Sequence, residues 1–168
     1  ALHAIGGGKS STDKPIPPLN LVGDYGGGAL YLAFGLMAAL YERQRSGRGQ
    51  VVDAAMVDGV GSLMSIFHGL AAAGQWRTDE RNANLLDGGA PFYGTYQTAD
   101  QRWLAVGPLE PKFFAELAQR IGLDKHFVKD QYDQRLWPEM RGALAAIFAQ
   151  RTQAEWTALL DGSDACVA

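Results

Sequence analysis

The sequence has one cysteine among its 168 residues, which excludes an internal disulfide and a cysteine-rich zinc site. It has no large excess of either charge: the formal net charge is −3, so nothing indicates a nucleic-acid partner. Its longest apolar run, residues 29–41, is too short to cross a bilayer, and residues 1–6 lack the basic and apolar regions of a secretory signal. These absences predict a cytoplasmic protein that binds neither nucleic acid nor membrane.

Two common kinds of ligand site are also missing. The histidines His3, His68 and His126 are far apart, and none has a second histidine at i+3 or i+4, so no metal site is predicted. The run Gly8-Lys9-Ser10 resembles the end of a phosphate-binding loop, yet His3 stands where that motif needs its first glycine. Residues 26–31 do not complete a dinucleotide fingerprint, because Tyr31 takes the place of the last glycine.

Both ends of the sequence look cut. Residues 1–5 are already apolar and contain no methionine, and residues 163–168 stop while the chain turns apolar again. We therefore expect a fragment that lacks the N-terminal part and the C-terminus of a longer chain.

Apolar periodicity and turn residues predict an alternation of helices and short strands. The first part favours an α/β fold and the second part α+β. The expected elements are a buried helix at 29–41, a strand at 50–53, a helix at 54–73, a polar boundary at 75–84, a hairpin from 92–98 and 103–107, and helices at 111–121 and 138–150, followed by a capping box at Thr152–Glu155 that opens a last helix.

Asp24 stands next to three glycines at 26–28 that lead into the first predicted helix. One interpretation makes it an ordinary N-cap. The other makes it functional, because glycines destabilise a helix and a simple cap does not need them. Glycines also let a ligand approach backbone N–H groups at a helix start, where negative charge is stabilised. An acid/base carboxylate and an oxyanion site could therefore lie side by side here.

Glu110 poses a similar question. Pro111 suits the first position of a helix, which puts Glu110 at the N-cap, although Glu is not a favoured N-cap residue. It could be an exposed acid that the helix dipole stabilises. Alternatively, the mostly apolar residues 104–109 could surround it, an environment that suits acid/base catalysis.

Five stretches, taken together, resemble the α-methylacyl-CoA racemases of the family III CoA-transferase superfamily. In chain order they are PLNLVGDYGGG at 18–28, SGRGQVVDA at 46–54, NLLDGGAPFY at 84–93, AVGPLEP at 105–111 and SDACV at 163–167. The resemblance covers nearly the whole chain. Proline at 108 departs from the alanine that is usual there.

The resemblance implies a reaction of lipid and fatty-acid metabolism. Members of this family invert 2-methyl-branched acyl-CoA thioesters by 1,1-proton transfer through an enolate. Asp24 would be one acid/base residue, and Glu110 would assist a histidine that is expected before Ala1. The substrate-binding positions that it implies are Asn20, Gly26, Gly27, Met56 and Leu85. The CoA is carried by the substrate, so the resemblance implies no separate cofactor.

The resemblance also implies an architecture. Residues 1–55 would belong to a Rossmann-like large domain, 56–91 to a helix and linker, and 92–168 to a smaller α+β domain. Family members form interlocked homodimers, with the active site between the large domain of one chain and the small domain of the other. The fragment alone is expected to be inactive, since one of its two bases would be missing.

Two alternatives stay open. In a CoA-transferase of the same superfamily, Asp24 would be a nucleophile that forms covalent acyl and CoA-thioester intermediates. In the other alternative the chain is a non-catalytic module that only dimerises. The triple glycine after Asp24-Tyr25, the stretch at 84–93 and Glu110 favour the racemase.

Overall fold

A computed structural model describes residues 15–168, so His3 and Gly8-Lys9-Ser10 lie outside the described residues. The chain divides into two compact units, Ala1–Arg81 and Asn82–Ala168. This division falls in the polar stretch at 75–84. The domain limits 1–55, 56–91 and 92–168 stay a prediction.

The first unit is helical throughout its described elements. A π-helix, Leu21–Leu30, runs directly into helix α1, Tyr31–Ser46, and these are followed by α2, Met56–Leu63, and α3, Ser65–Ala72. Helix α1 ends at Gly47, whose φ of 71° is the left-handed conformation that glycine adopts readily. The predicted helix at 54–73 therefore exists, but it is interrupted at Met64, where ψ is 2°.

Glycines allow the π-helix to lie directly against α2. Gly27 and Gly59 are buried, and a Cβ at Gly27 would lie 2.7 Å from Val60 Cγ2 and 2.8 Å from the Val60 backbone nitrogen. A Cβ at Gly59 would overlap the carbonyl group of Gly27. Beside this contact, the Tyr31 hydroxyl donates to Ser62 Oγ at 2.7 Å. Only residues without a side chain permit so close an approach of two helix backbones.

Two expectations for this unit were wrong. No residue of α1 is buried, and Phe34 and Met37 are 77% and 66% exposed, although the sequence predicts a buried helix. Residues 50–53 form no strand, and Val51 is 94% exposed. Burial and strand pairing both need neighbouring elements. Among the described elements α1 packs mainly against the π-helix, and Val52 lies beside Gly35 of α1 without a strand to pair with.

The second unit contains the predicted hairpin and four helices. Strands β1, Gly94–Gln97, and β2, Trp103–Val106, pair antiparallel, with Gly94 opposite Val106 and Gln97 opposite Trp103. The helices are α4, Pro111–Ile121; α5, Lys125–Lys129; α6, Trp137–Phe148; and α7, Gln153–Leu160. The hairpin and the helix at 111–121 are confirmed, as is the capping box of Thr152 and Glu155.

Apolar side chains from both strands and all four helices of the second unit meet in one core. Helix α4 buries residues at three- and four-residue spacing, as an amphipathic helix should. Phe92 is central, because its ring contacts those of Phe114, Tyr132 and Trp137. The fully buried large side chains of this core are Phe92, Phe114, Phe148, Leu104, Leu117, Met140 and Leu144.

The described residues are mostly helical with one small sheet. The hairpin is the only sheet found in residues 15–168, and one bridge from Val106 to Val167 extends it. The α+β character of the second part is therefore present, whereas the α/β character expected for the first part does not appear there. Among the described helices, none is long and apolar enough to cross a membrane.

Replacing Gly59 by alanine is expected to disrupt the helix contact, whereas the same change at Gly61 is not. A Cβ at Gly61 meets nothing within 4 Å. Because alanine is favoured over glycine in a helix by about 1 kcal/mol, Gly61→Ala should slow amide hydrogen exchange at residues 56–63 about fivefold. Gly59→Ala should accelerate that exchange, as measured by mass spectrometry. Slower exchange in both variants would contradict the packing role of Gly59.

Candidate active site

Asp24 lies inside the first turn of the π-helix. The N-cap is Asn20, which makes no side-chain capping bond, and its carbonyl accepts the N–H of Tyr25 at 3.2 Å. The interpretation of Asp24 as an N-cap is therefore wrong. Its carboxylate is exposed, so it is open to a ligand.

At the same end of this helix lie backbone N–H groups that have no backbone acceptor within residues 15–168. In a π-helix each N–H bonds to a carbonyl five residues earlier, so first-turn N–H groups have no acceptor inside the helix. Here these are the N–H groups of Val22, Gly23 and Asp24. The space beside Gly23 is open, since a Cβ there would meet nothing within 4 Å. An exposed carboxylate and donors suited to an anion thus occupy one helix end.

The three glycines after Tyr25 serve the helix packing. Their N–H groups belong to the helix pattern, and a Cβ at Gly26 or Gly28 would lie 3.1 Å from Leu63 Cδ1 or 3.0 Å from Met56 Cγ. The N–H groups without an acceptor inside the helix therefore belong to the residues before these glycines. Met56, half exposed, lies beside the same segment. Substrate contacts of Gly26, Gly27, Met56 and the exposed Asn20 stay a prediction.

Glu110 is the N-cap of α4, as predicted. Its φ of −70° and ψ of 136° are extended, its side chain makes no capping bond, and its carbonyl accepts the N–H groups of Phe113 and Phe114, each at 3.0 Å. The carboxylate is exposed. The alternative in which apolar residues surround it is therefore wrong: Leu104 and Val106 are buried in the core, whereas Glu110 lies outside it.

Two residues that the sequence analysis did not identify hold the backbone before Glu110. Gln131 Nε2 donates to the carbonyls of Pro108 and Leu109, both at 3.1 Å, and the Tyr132 hydroxyl donates to the Leu109 carbonyl at 2.5 Å. No sequence signal could have found them, since Gln131 lies 23 residues from Pro108.

Leu85 belongs to a tightly organised loop. Its side chain is partly buried against the core. The Asp87 carboxylate accepts from the Asn84 backbone N–H at 2.8 Å, from Asn84 Nδ2 at 2.7 Å and from the Gly89 N–H at 3.1 Å. Arg141 of α6 donates to the Gly88 carbonyl at 2.9 Å and to the Gly89 carbonyl at 2.5 Å. The position of Leu85 is thus set by both Asp87 and Arg141.

The predicted site residues fall into two groups. Asn20, Asp24, Gly26, Gly27 and Met56 lie together in the first unit. Leu85 and Glu110 belong to the second. Within residues 15–168, no group of three or more histidine, cysteine, aspartate or glutamate side chains is arranged to hold a metal ion.

Known proteins resemble this chain over nearly all of its length. The family model of CoA-transferase family III matches residues 2–168. Over 157 residues the chain is 48% identical to the alpha-methylacyl-CoA racemase of Mus musculus and 45% identical to that of Homo sapiens. Each match covers 94% of this chain and 41% of the relative, so the chain spans about two fifths of their length.

A solved structure has a similar fold. The structure of a hypothetical protein from Mycobacterium tuberculosis matches with a TM-score of 0.61 and 29% identity. The match covers 88% of this chain and 38% of that one.

Loss of the Asp87 carboxylate should loosen the loop that carries Leu85. Asp87→Asn leaves backbone donors without a charged acceptor, so we expect a loss of about 1–3 kcal/mol in the free energy of unfolding. Asp130→Asn, at an exposed position, is the matched control and should change it by less than about 0.5 kcal/mol. Urea unfolding followed by tryptophan fluorescence measures both, and equal effects would contradict the role of Asp87.

Proposed function

The chain belongs to CoA-transferase family III, and on that premise we propose that it takes part in the racemisation of 2-methyl-branched acyl-CoA thioesters. The exposed Asp24 carboxylate beside the first-turn N–H groups carries this proposal. The 48% identity to a protein named alpha-methylacyl-CoA racemase supports it.

The proposed reaction moves one proton at a time. A base removes the proton from C2 of the acyl group, and the electron pair of that C–H bond delocalises into the thioester to form an enolate. An acid on the opposite face then donates a proton to C2, which restores the thioester with inverted configuration. Two acid/base groups on opposite faces are needed, because a single group would return the proton to the face it came from.

Asp24 is proposed as one of these two groups. Its carboxylate can accept the C2 proton, and in the reverse direction its protonated form can donate one. The N–H groups of Val22, Gly23 and Asp24 are oriented to stabilise negative charge on the enolate oxygen. A carboxylate and oxyanion donors on one helix end suit enolate formation.

Glu110 is proposed to assist the opposing base. By the family resemblance this base is a histidine expected before Ala1. The absence of a capping bond leaves the Glu110 side chain free for such a partner. Met56 and Leu85 are proposed to contact the acyl group, and Asn20 to lie near the reacting centre.

A CoA-transferase is the second candidate, because the matching family carries that name. In it the Asp24 carboxylate would attack the thioester carbonyl and displace the CoA thiolate, which gives an acyl-aspartyl anhydride. The CoA thiolate would then attack the aspartyl carbonyl of this anhydride, form an aspartyl-CoA thioester and release the donor acyl group as a free carboxylate. Hydroxylamine would convert such an aspartyl intermediate into a hydroxamate at Asp24. Its detection by peptide mass spectrometry would favour the transferase.

Asp24→Asn tests the racemase proposal. In the complete natural polypeptide, incubated in D₂O with one enantiomer of a 2-methylacyl-CoA, the α-proton should exchange and optical purity should fall. The variant should reduce the exchange rate about 100-fold or more, because it removes a general acid/base group. Proton NMR measures the exchange.

Asp58→Asn is the matched control. Asp58 is an exposed acid in the first turn of α2, and its replacement should leave the exchange rate unchanged. Transfer of CoA to a free carboxylic acid without α-proton exchange would contradict the racemase proposal.

A further inference from the structure

The backbone is anchored on both sides of Glu110. After it, the first turn of α4 holds the Glu110 carbonyl through two N–H groups. Before it, the Leu109 carbonyl accepts from both Gln131 and Tyr132, and the Pro108 carbonyl accepts from Gln131. Three successive carbonyls are thus held, so the Cα of Glu110 has a fixed position and only its side-chain torsions can vary.

Gln131 holds these carbonyls at an energetic cost. Its side chain is 2% exposed, and its Oε1 has no hydrogen-bond partner among the described residues. A buried acceptor without a donor is destabilising. Stability alone therefore does not explain why a glutamine stands here, and the two carbonyls that its Nε2 holds suggest a role in placing the backbone before Glu110.

Tyr132 is half exposed, and one face of its ring and its neighbour Gln131 contact the core. Its ring contacts Phe92 edge-to-face at 5.4 Å between centroids, and the indole N–H of Trp137 donates to the Gln131 carbonyl at 3.0 Å. Burial, followed by the negative charge of Glu110, raises the pKa of Tyr132. The phenol is therefore a hydrogen-bond donor that lies within electrostatic reach of the Glu110 carboxylate.

We propose that Tyr132 and Gln131 are positioning residues, which fix the backbone from which the Glu110 carboxylate takes its part in proton transfer. This inference rests on the proposed function. It assigns no contact with substrate to either residue: both act only through the backbone of Pro108 and Leu109.

Tyr132→Phe is the decisive variant. It keeps the ring and its contact with Phe92, and it removes only the hydroxyl. In the complete natural polypeptide we expect about a tenfold lower kcat for α-proton exchange, with little change in KM, because positioning of a proton-transfer group affects the chemical step.

Tyr96→Phe is the matched control. The Tyr96 hydroxyl donates to the Pro91 carbonyl at 2.5 Å, so the same kind of bond is lost, but its acceptor does not adjoin Glu110 in the chain. We expect Tyr96→Phe to lower the urea unfolding midpoint at least as much as Tyr132→Phe does, and to leave kcat within about twofold.

A double-mutant cycle with Glu110→Gln separates positioning from general stability. If Tyr132 acts through Glu110, adding Tyr132→Phe to Glu110→Gln should cause no further loss of kcat. If the double variant loses kcat by the product of the two single-variant factors, the inference is overturned while the proposed function stands. An unchanged kcat in Tyr132→Phe has the same consequence. If wild type shows no exchange, or Glu110→Gln has no effect, the proposed function or the role of Glu110 fails, and the inference fails with it.

Discussion

The contact between the backbones of Gly27 and Gly59 determines how the first unit is built. It brings the π-helix against α2, and it places Met56 and Val60 beside the glycine segment. A side chain at either position would separate the helices. The exposed start of the π-helix, with Asp24 and the first-turn N–H groups, depends on this packing because the same helix carries both features. π-helical geometry is uncommon and is frequent at functional sites, which agrees with the proposed role.

In the second unit, hydrogen bonds from side chains to backbone carbonyls hold the loops that carry candidate functional residues. Its core holds helices and a hairpin, and polar side chains from that core reach out to the backbone carbonyls of the loops. Arg141 binds the carbonyls of the loop around Leu85, and Gln131 and Tyr132 bind those before Glu110. Each carbonyl that accepts such a bond loses freedom of rotation. The loops that carry Leu85 and Glu110 are thereby tied to the rest of the unit by side-chain hydrogen bonds.

The sequence correctly predicted those features whose hydrogen bonds join residues close together in the chain. The end of α4 at Gly122, with a φ of 75°, and the capping box of Thr152 and Glu155 were both predicted, since each involves residues within one helical turn. The hairpin was predicted because alternation and a turn define it. The predictions of a strand at 50–53 and of a buried helix at 29–41 were wrong, because strand pairing and burial depend on neighbours that the pattern of one segment does not specify.

The sequence by itself determined which residues to consider: Asp24 beside its glycines, Glu110 before Pro111, and the family to which both motifs belong. Tertiary structure alone decided that the glycines at 26–28 pack against α2, that the unpaired N–H groups precede them, and that Gln131 and Tyr132 support Glu110. The reason is distance along the chain. Gly27 meets residues of α2, and Tyr132 bonds to a carbonyl 23 residues away, so only folding brings these groups together.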